Sequence, residues 1–314
     1  MDDAGACTTS IVRLRPCTLL QLPAHPAFAS SEGPPPSTHP SLSCFLSALL
    51  LEATARADSI ATDFKLRGSK PSPPAEALVE SLCGVVRPRG ERGAARHGET
   101  WFARRSVHED ARRVGTADWE EFDDGIRVDH ARKEGEYTPD VLDARRVLDW
   151  ADELAKAEVQ VEGCEGAVEL SVHEMCHSIP TPLCNRTFTV LVASFAVSPA
   201  VSLVAQIPVD LSTFPAAFRQ EHVMYANGRH RQAGASGAGR GQMVVGEYVS
   251  VERITRVEQD GKKHVRWEMA TASDAKGWLP AGMQKLGIPG AIRKDVGLFL
   301  RWTADRRGCC TERR

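Results

Sequence analysis

The chain has 314 residues, 42% of them hydrophobic and 25% charged, enough for one large folded unit or two ordinary ones. Such a composition excludes a fully disordered chain, a collagen-like repeat and a polytopic membrane protein. With 39 Lys and Arg against 41 Asp and Glu the formal net charge is −2, so no global basic field points to nucleic acid as a partner.

Residues 1–40 hold seven prolines, including Pro34-Pro35-Pro36, without a sustained hydrophobic period, which predicts a disordered tail. The chain starts Met-Asp-Asp, and Arg13, Arg15 and Pro16 break the apolar run from Ile11 to Leu22, so no secretory signal is expected. Nine cysteines, an odd number with no Cys-x-x-Cys pair, then read as reduced thiols of a cytoplasmic protein. From Ser41 to Phe64, Leu42, Phe45, Leu46, Leu49, Leu50 and Ala53 recur at helical spacing, with Ser41 or Ser43 as cap. Residues 65–99 turn rich in Pro, Gly and Arg (Arg87, Arg89, Arg92, Arg96) and predict an exposed linker. A folded domain is expected over 100–307, followed by a tail, 308–314.

Within that domain Trp101 to His108 reads as a strand and Thr116 to Ile126 as a short helix ended at Gly125. Asp140 to Ala155 has helical spacing in Val141, Leu142, Ala144, Val147, Leu148 and Ala151, with an extended Arg145 to Trp150 as the alternative. Ala167 to Met175 alternates as a half-buried strand does. It leads into His173-Glu174-Met175-Cys176-His177, a literal H-E-x-x-H. A zinc hydrolase needs those two histidines on one helix face with the Glu activating water. In an extended chain they lie about 13 Å apart, and Pro180 and Pro182 follow at once. A strand end is therefore the expectation, with a zinc-dependent hydrolase as the alternative. Cys164, Cys176, Cys184, His173 and His177 match no structural-zinc spacing. No catalytic residue, metal site or cofactor is assigned.

Thr187 to Val209 carries no charge and is long enough to cross a bilayer. Ser194, Ser198, Ser202 and Gln206 dilute it, and Ser198-Pro199 interrupts its middle, so two buried strands joined by a turn are expected. The basic, Gly-rich run Gly228 to Gly241 lacks the Lys-Ser/Thr of a phosphate loop and reads as a mobile loop. Val244 to Glu258 and Lys263 to Ala272 flank Asp260-Gly261, a strong hairpin signal. Pro289 to Asp305 then forms an amphipathic helix with Ile292, Val296, Phe299, Leu300 and Thr303 in one stripe. In the tail, Cys309-Cys310 beside basic residues are expected to be free surface cysteines, with acylation as the alternative. The order of elements predicts an α+β fold, a curved antiparallel sheet packed around a long C-terminal helix.

Several runs also carry a family resemblance: Trp101-x-x-Arg104-Arg105-Ser106-Val107-His108, Trp119-Glu120-Glu121-Phe122, Glu136-Tyr137-Thr138-Pro139, His177-x-Ile179-Pro180-x-Pro182-Leu183, Trp267-x-Met269-Ala270-Thr271-Ala272 and Asp295-Val296-x-x-Phe299-Leu300-x-Trp302. Their order resembles an uncharacterised fungal family assigned to the START-like superfamily. The resemblance implies a helix-grip fold whose sheet and C-terminal helix enclose a cavity for a lipid or other hydrophobic small molecule. On that reading the walls are Phe188, Val190, Val192, Val265, Trp267 and Met269 from the strands and Ile292, Val296 and Phe299 from the helix, with Arg186, Arg266 and His177 as polar groups. Transient contact with a membrane surface would accompany such binding. The oligomeric state stays open, and a scaffold with a collapsed cavity is the further alternative.

Overall fold

A computed structural model describes residues 10–28, 39–87, 98–156, 159–179, 183–233, 241–276 and 281–311. Nine strands make one sheet: β1 (Lys65–Pro71), β2 (Leu78–Val86), β3 (Glu99–Glu109), β4 (Val141–Asp149), β5 (Val168–His177), β6 (Arg186–Ser198), β7 (Val201–Pro208), β8 (Val244–Gln259) and β9 (Lys262–Asp274). Their spatial order is β1-β2-β3-β9-β8-β7-β6-β5-β4, with every neighbouring pair antiparallel. Helix α1 (Leu42–Thr62) precedes the sheet; α2 (Trp119–Ile126), α3 (His130–Tyr137), α4 (Ala151–Lys156), α5 (Ala216–His222) and α6 (His230–Ala233) lie in the connections; α7 (Ala281–Thr311) ends the chain. This is the curved sheet gripping a C-terminal helix that the order of elements predicts.

The period of two along each strand divides the sheet into two covered faces. Leu191, Ala193, Phe195, Ala205, Val251 and Ala270 point to one, where they pack with Leu46, Leu49, Leu50 and Ala53 of α1. Val190, Val192, Val204, Ile254, Val265 and Trp267 point to the other, where they meet Phe122 of α2, Tyr137 of α3 and Val296, Phe299 and Leu300 of α7. We call these the α1 face and the α7 face. The charge-free run is the β6–β7 hairpin, and no helix among the described residues is long and apolar enough to cross a membrane.

Several elements depart from expectation. The stretch expected as a linker carries β1 and β2. As the edge strand, β1 is exposed along its length and has a bulge at Gly68, so it lacks alternation and keeps the charged, Pro-containing composition that protects an edge. Within the stretch expected as a tail, Ile11, Val12, Cys17 and Leu22 are buried against the α1 face. Polar contacts hold them: Glu52 Oε2 accepts from Ser10 Oγ and from the amides of Ile11 and Val12 at 2.7, 2.8 and 3.0 Å, and Cys17 N donates to Pro208 O at 2.8 Å. The expected helix over 140–155 is instead β4 followed by the short α4. Two register shifts in β4, between Val141 and Asp143 and between Arg146 and Leu148, interrupt its period of two and imitate helical spacing.

Helix α2 starts at Trp119 because Asp118 caps it, accepting from Glu121 N while Glu121 accepts from Asp118 N. Gly125 does not terminate α2. A Cβ there would lie 2.4 Å from Phe299, so this glycine allows α2 to approach α7 closely. Helix α7 begins at Ala281, ahead of Pro289, which sits inside it and gives up one helical hydrogen bond. The side chains of Cys309 and Cys310 lie outside the described residues, as do residues 234–240 of the Gly-rich run.

Candidate functional site

Near the middle of α7 the sheet face is sealed by aromatic packing. Phe122 stacks on Phe299 with ring centroids 5.2 Å apart, while Trp267 and Tyr137 meet Phe299 edge-on at 5.1 and 5.6 Å. Toward the N-terminal part of α7 the character changes. Strand alternation brings Phe102 and Arg104 of β3, Tyr248, Ser250 and Glu252 of β8 and Met269 of β9 to this face, while helical spacing adds Ile292 and Asp295 of α7 and Glu134 of α3.

Arg104, only 1% exposed, is the guanidinium of this interior. Its Nη2 donates to Glu252 Oε1 at 2.6 Å, its plane lies 3.9 Å from the Trp267 ring centroid, and Trp267 Nε1 donates to the same Glu252 oxygen at 2.7 Å. The Arg104 Nε and Nη1 atoms have no partner and no free surface. Glu252 and Arg104 therefore balance each other.

Glu134 and Asp295 have no such partner. Glu134 takes a hydrogen bond from Gln206 Nε2 at 3.3 Å, and its nearest basic group is His130 Nε2 at 3.6 Å. His130 Nδ1 donates to Ile126 O at 2.6 Å, and its Nε2 lies 3.0 Å from Gln206 Nε2. Asp295 has no hydrogen bond or ion pair among the described residues. Glu134 keeps 19% of its side-chain surface accessible, and Asp295 and Tyr248 are half-buried.

The electrostatics follow from that position. Burial pushes Asp295 up to about 7, with Glu134 and Glu252 adding to the shift and Arg104 opposing it. Burial likewise raises Glu134, His130 opposing and Glu252 adding. Burial lifts the Tyr248 phenol above its ordinary value, helped by the charge of Glu134. Removing ionised groups from water is costly, and among the described residues neither acid is paired with a Lys or Arg side chain.

Of the wall residues expected from sequence, Met269 and Ile292 pack with Phe102 and partly buried Tyr248 beside the acids. Val190, Val192, Val265, Trp267, Val296 and Phe299 lie in the packed part of the α7 face. Phe188 is half-buried, 5.8 Å from the Tyr248 ring, and fits because position 246 is glycine: a Cβ there would lie 2.5 Å from the Phe188 ring. His177 meets Phe188 edge-on at 5.3 Å, and burial lowers it to about 4, Asp140 opposing.

The two arginines are elsewhere engaged. Arg186 donates to the carbonyls of Cys184, Ala275 (2.7 Å) and Lys276 (3.4 Å), tying the end of β9 to the start of β6. Arg266 projects from the α1 face of β9, opposite Trp267, 3.5 Å from Glu268. Arg104, Glu134, Tyr248, Glu252 and Asp295 were missed by sequence reasoning. The available signal was parity: Asp295 falls three residues after Ile292 and four before Phe299, a charge inside an apolar stripe.

The H-E-x-x-H segment lies within β5, not on a helix. His173 and His177 face α7 while Glu174 faces the opposite way, so the three cannot converge on one ion. Glu174, fully buried, instead accepts the amides of Met224, Tyr225 and Ala226 at 2.7, 2.9 and 2.7 Å. His173 bonds Ser171 Oγ at 2.9 Å, and burial lowers it to about 4, Arg146 adding to the shift. Among the described residues no group of three His, Cys, Asp or Glu side chains is placed to hold a metal. Ser171 and His173 line an open cleft of about 500 Å³ on the outer side of α3, where Asp129 pairs with Arg132 and Arg146.

Among known proteins, an uncharacterised protein of Schizosaccharomyces pombe is 25% identical over 225 residues, 69% of this chain and 75% of its own length. Human STARD10 superimposes with a TM-score of 0.48 at 13% identity over 82% of both chains. Human StAR-related lipid transfer protein 5 gives 0.48 at 9% identity over 81% of this chain and 98% of its own. Residues 101–303, from Trp101 at the start of β3 to Thr303 in α7, match the family described as a protein of unknown function, DUF3074. The chain belongs to the DUF3074 family.

Proposed function

We propose that the chain binds a lipid or other apolar small molecule in the space between the sheet and the N-terminal half of α7. The observation that supports this is the pair of half-buried acids, Glu134 and Asp295, on the α7 face that also carries Phe102, Met269, Ile292 and the half-buried Tyr248. Carboxylates on a largely apolar face are costly to desolvate unless an occupant repays the cost. Binding is then the burial of apolar ligand surface, worth about 25 cal/mol per Å², with the polar groups fixing orientation. A ligand of this kind resides in membranes, so the protein meets a membrane surface to collect it, and the binding needs no chemical step.

The test is to strip the protein of lipid, incubate it with vesicles made from a total lipid extract, re-isolate it and identify what it carries by mass spectrometry. One molecule retained per chain is the expected result. Protein that returns empty, and that carried nothing when first purified, would refute the reading.

A further inference from the structure

We propose that the exposed edge of the sheet, strand β1 with the adjoining turn of α7, is the surface by which the protein docks on an anionic membrane. The membrane contact itself rests on the ligand reading above; the face of the molecule and the sign of the lipid charge go beyond it.

Elsewhere on the sheet and its helices the arginines are paired: Arg105 with Glu80, Arg132 with Asp129, Arg253 with Asp58 and Arg307 with Glu121. Along β1 the pattern stops. Lys65, Arg67 and Lys70 stand exposed on one strand of seven residues, and none forms an ion pair among the described residues. Just past the strand, Ser72 Oγ donates to Arg293 O at 2.8 Å and accepts from Gly297 N at 3.1 Å. This contact brings half-buried Arg293 and exposed Lys294, likewise without an ion pair among the described residues, to the end of β1. The acids of the β1–β2 hairpin are turned to other partners, Glu80 to Arg105 at 2.7 Å and Glu76 to Arg113. Asp63, which closes α1, is set against these cations and leaves them in excess. In a chain of net charge −2, this edge therefore carries a local field opposite in sign to the whole.

Two further features select a lipid surface over an acidic protein segment. Leu66 and Leu78 are 58% exposed and Val85 61%, so apolar side chains stand among the cations. Such side chains enter the interface of a bilayer while Lys and Arg reach its head groups. A peptide added as a tenth strand would instead need a regular ladder of backbone groups, and the bulge at Gly68 and Pro71, which has no N–H, interrupt it. A fluid layer of anionic head groups imposes no register. Because β1 is exposed along its length, side chains from both faces of the strand reach a surface laid along the edge.

The test mixes full-length protein with phosphatidylcholine vesicles, with or without about 30% phosphatidylserine, and measures the bound fraction by sedimentation across a salt series. Binding is expected to be at least about tenfold tighter with phosphatidylserine at low salt, an advantage that disappears as the Debye length shrinks to about 3 Å at 1 M. Lys65→Glu/Lys70→Glu is expected to weaken that binding at least about tenfold while keeping the wild-type melting temperature, since both side chains are exposed. Lys262→Glu/Lys263→Glu, the same change of net charge at the exposed β8–β9 turn, is expected to bind as the wild type does. Equal binding to the two kinds of vesicle, or equal losses in the two variants, overturns the inference. Binding to polyglutamate but not to phosphatidylserine vesicles also overturns it, in favour of an acidic protein partner. None of these outcomes decides the ligand reading, which stands or falls on whether the protein carries lipid away from vesicles.

Discussion

The two faces of the sheet handle their buried charges differently. On the α1 face Arg253 donates to Asp58 of α1 at 2.6 Å and to Glu268 at 2.9 Å, and Glu174 receives three backbone amides. On the α7 face Arg104 and Glu252 answer each other, while Glu134 has only Gln206 and His130 beside it and Asp295 has no hydrogen bond or ion pair among the described residues. Both faces are built from the same alternating strands, so fold stability does not require the second arrangement. Half-buried acids without a Lys or Arg partner are held at an energetic cost, and on the proposed reading that cost is offset by the ligand.

The contrast breaks most visibly if the α1 face is not the packed core it resembles. Leu49 has no exposed surface and sits among Leu46, Leu50 and the strand residues of that face. Leu49→Ala is expected to cost about 2–5 kcal/mol, the lost transfer energy plus the cavity left behind. Urea denaturation measures the loss, and ligand recovery per folded molecule should not change. A cost below about 1 kcal/mol would mean that this face is loosely packed.

A change of the opposite sign is expected on the other face. Burial holds the Asp295 carboxyl at about 7 in the folded protein, against an ordinary value of 3.8. Between those limits the folded chain holds a proton that the unfolded chain has released, so stability falls as pH rises through that window and the penalty is complete above it. Asp295→Asn is therefore expected to stabilise the ligand-free protein at pH 8 by a few kcal/mol, roughly. The gap to wild type should open between pH 4 and 7 and level off beyond. Denaturation curves across that range decide it, and a variant less stable than wild type at pH 8 would show that Asp295 is paired after all.

How much of this was legible in the sequence depended on periodicity. The β6–β7 and β8–β9 hairpins, the buried face of α1 and the stripe of α7 repeat cleanly, and each was found. The edge strand β1 and the bulged β4 do not repeat, one because it is exposed on both sides and the other because two bulges shift its register. The segment over 10–28 is held by hydrogen bonds that its amides donate to Glu52, Glu99 and the Pro208 carbonyl, contacts between residues far apart in the chain that no local pattern encodes. On the α7 face the buried apolar residues were legible and the polar ones among them were not, because the stripe was read through its apolar members. Asp295, Glu252 and Arg104 sat at core positions of periods already recognised.

Glu174 supplies a test of intermediate size. Glu174→Gln keeps one carbonyl oxygen for Tyr225 and Ala226 but turns an amide donor toward Met224 N, or the reverse. The expected cost is about 1–3 kcal/mol, that of a buried donor left unsatisfied. Zinc bound per chain, measured by elemental analysis, should be the same in variant and wild type, since this carboxylate works for the backbone. A loss of stoichiometric zinc without loss of stability would return the H-E-x-x-H to a metal role.

The smallest effect is expected at Arg266, a charge that sequence reasoning placed in the ligand site and the structure puts on the α1 face. Its side chain is 38% exposed and its contact with Glu268 is 3.5 Å, while Glu268 is already bonded by Arg253 at 2.9 Å. A partly solvated pair whose acid has a better partner contributes little, so Arg266→Ala is expected to change stability by no more than about 1 kcal/mol. Lipid recovered from vesicles should match the wild type within error, because Trp267, and not Arg266, points toward α7. Loss of that recovery with stability intact would mean that a charge on the α1 face reaches the ligand, and the division between the faces would fail.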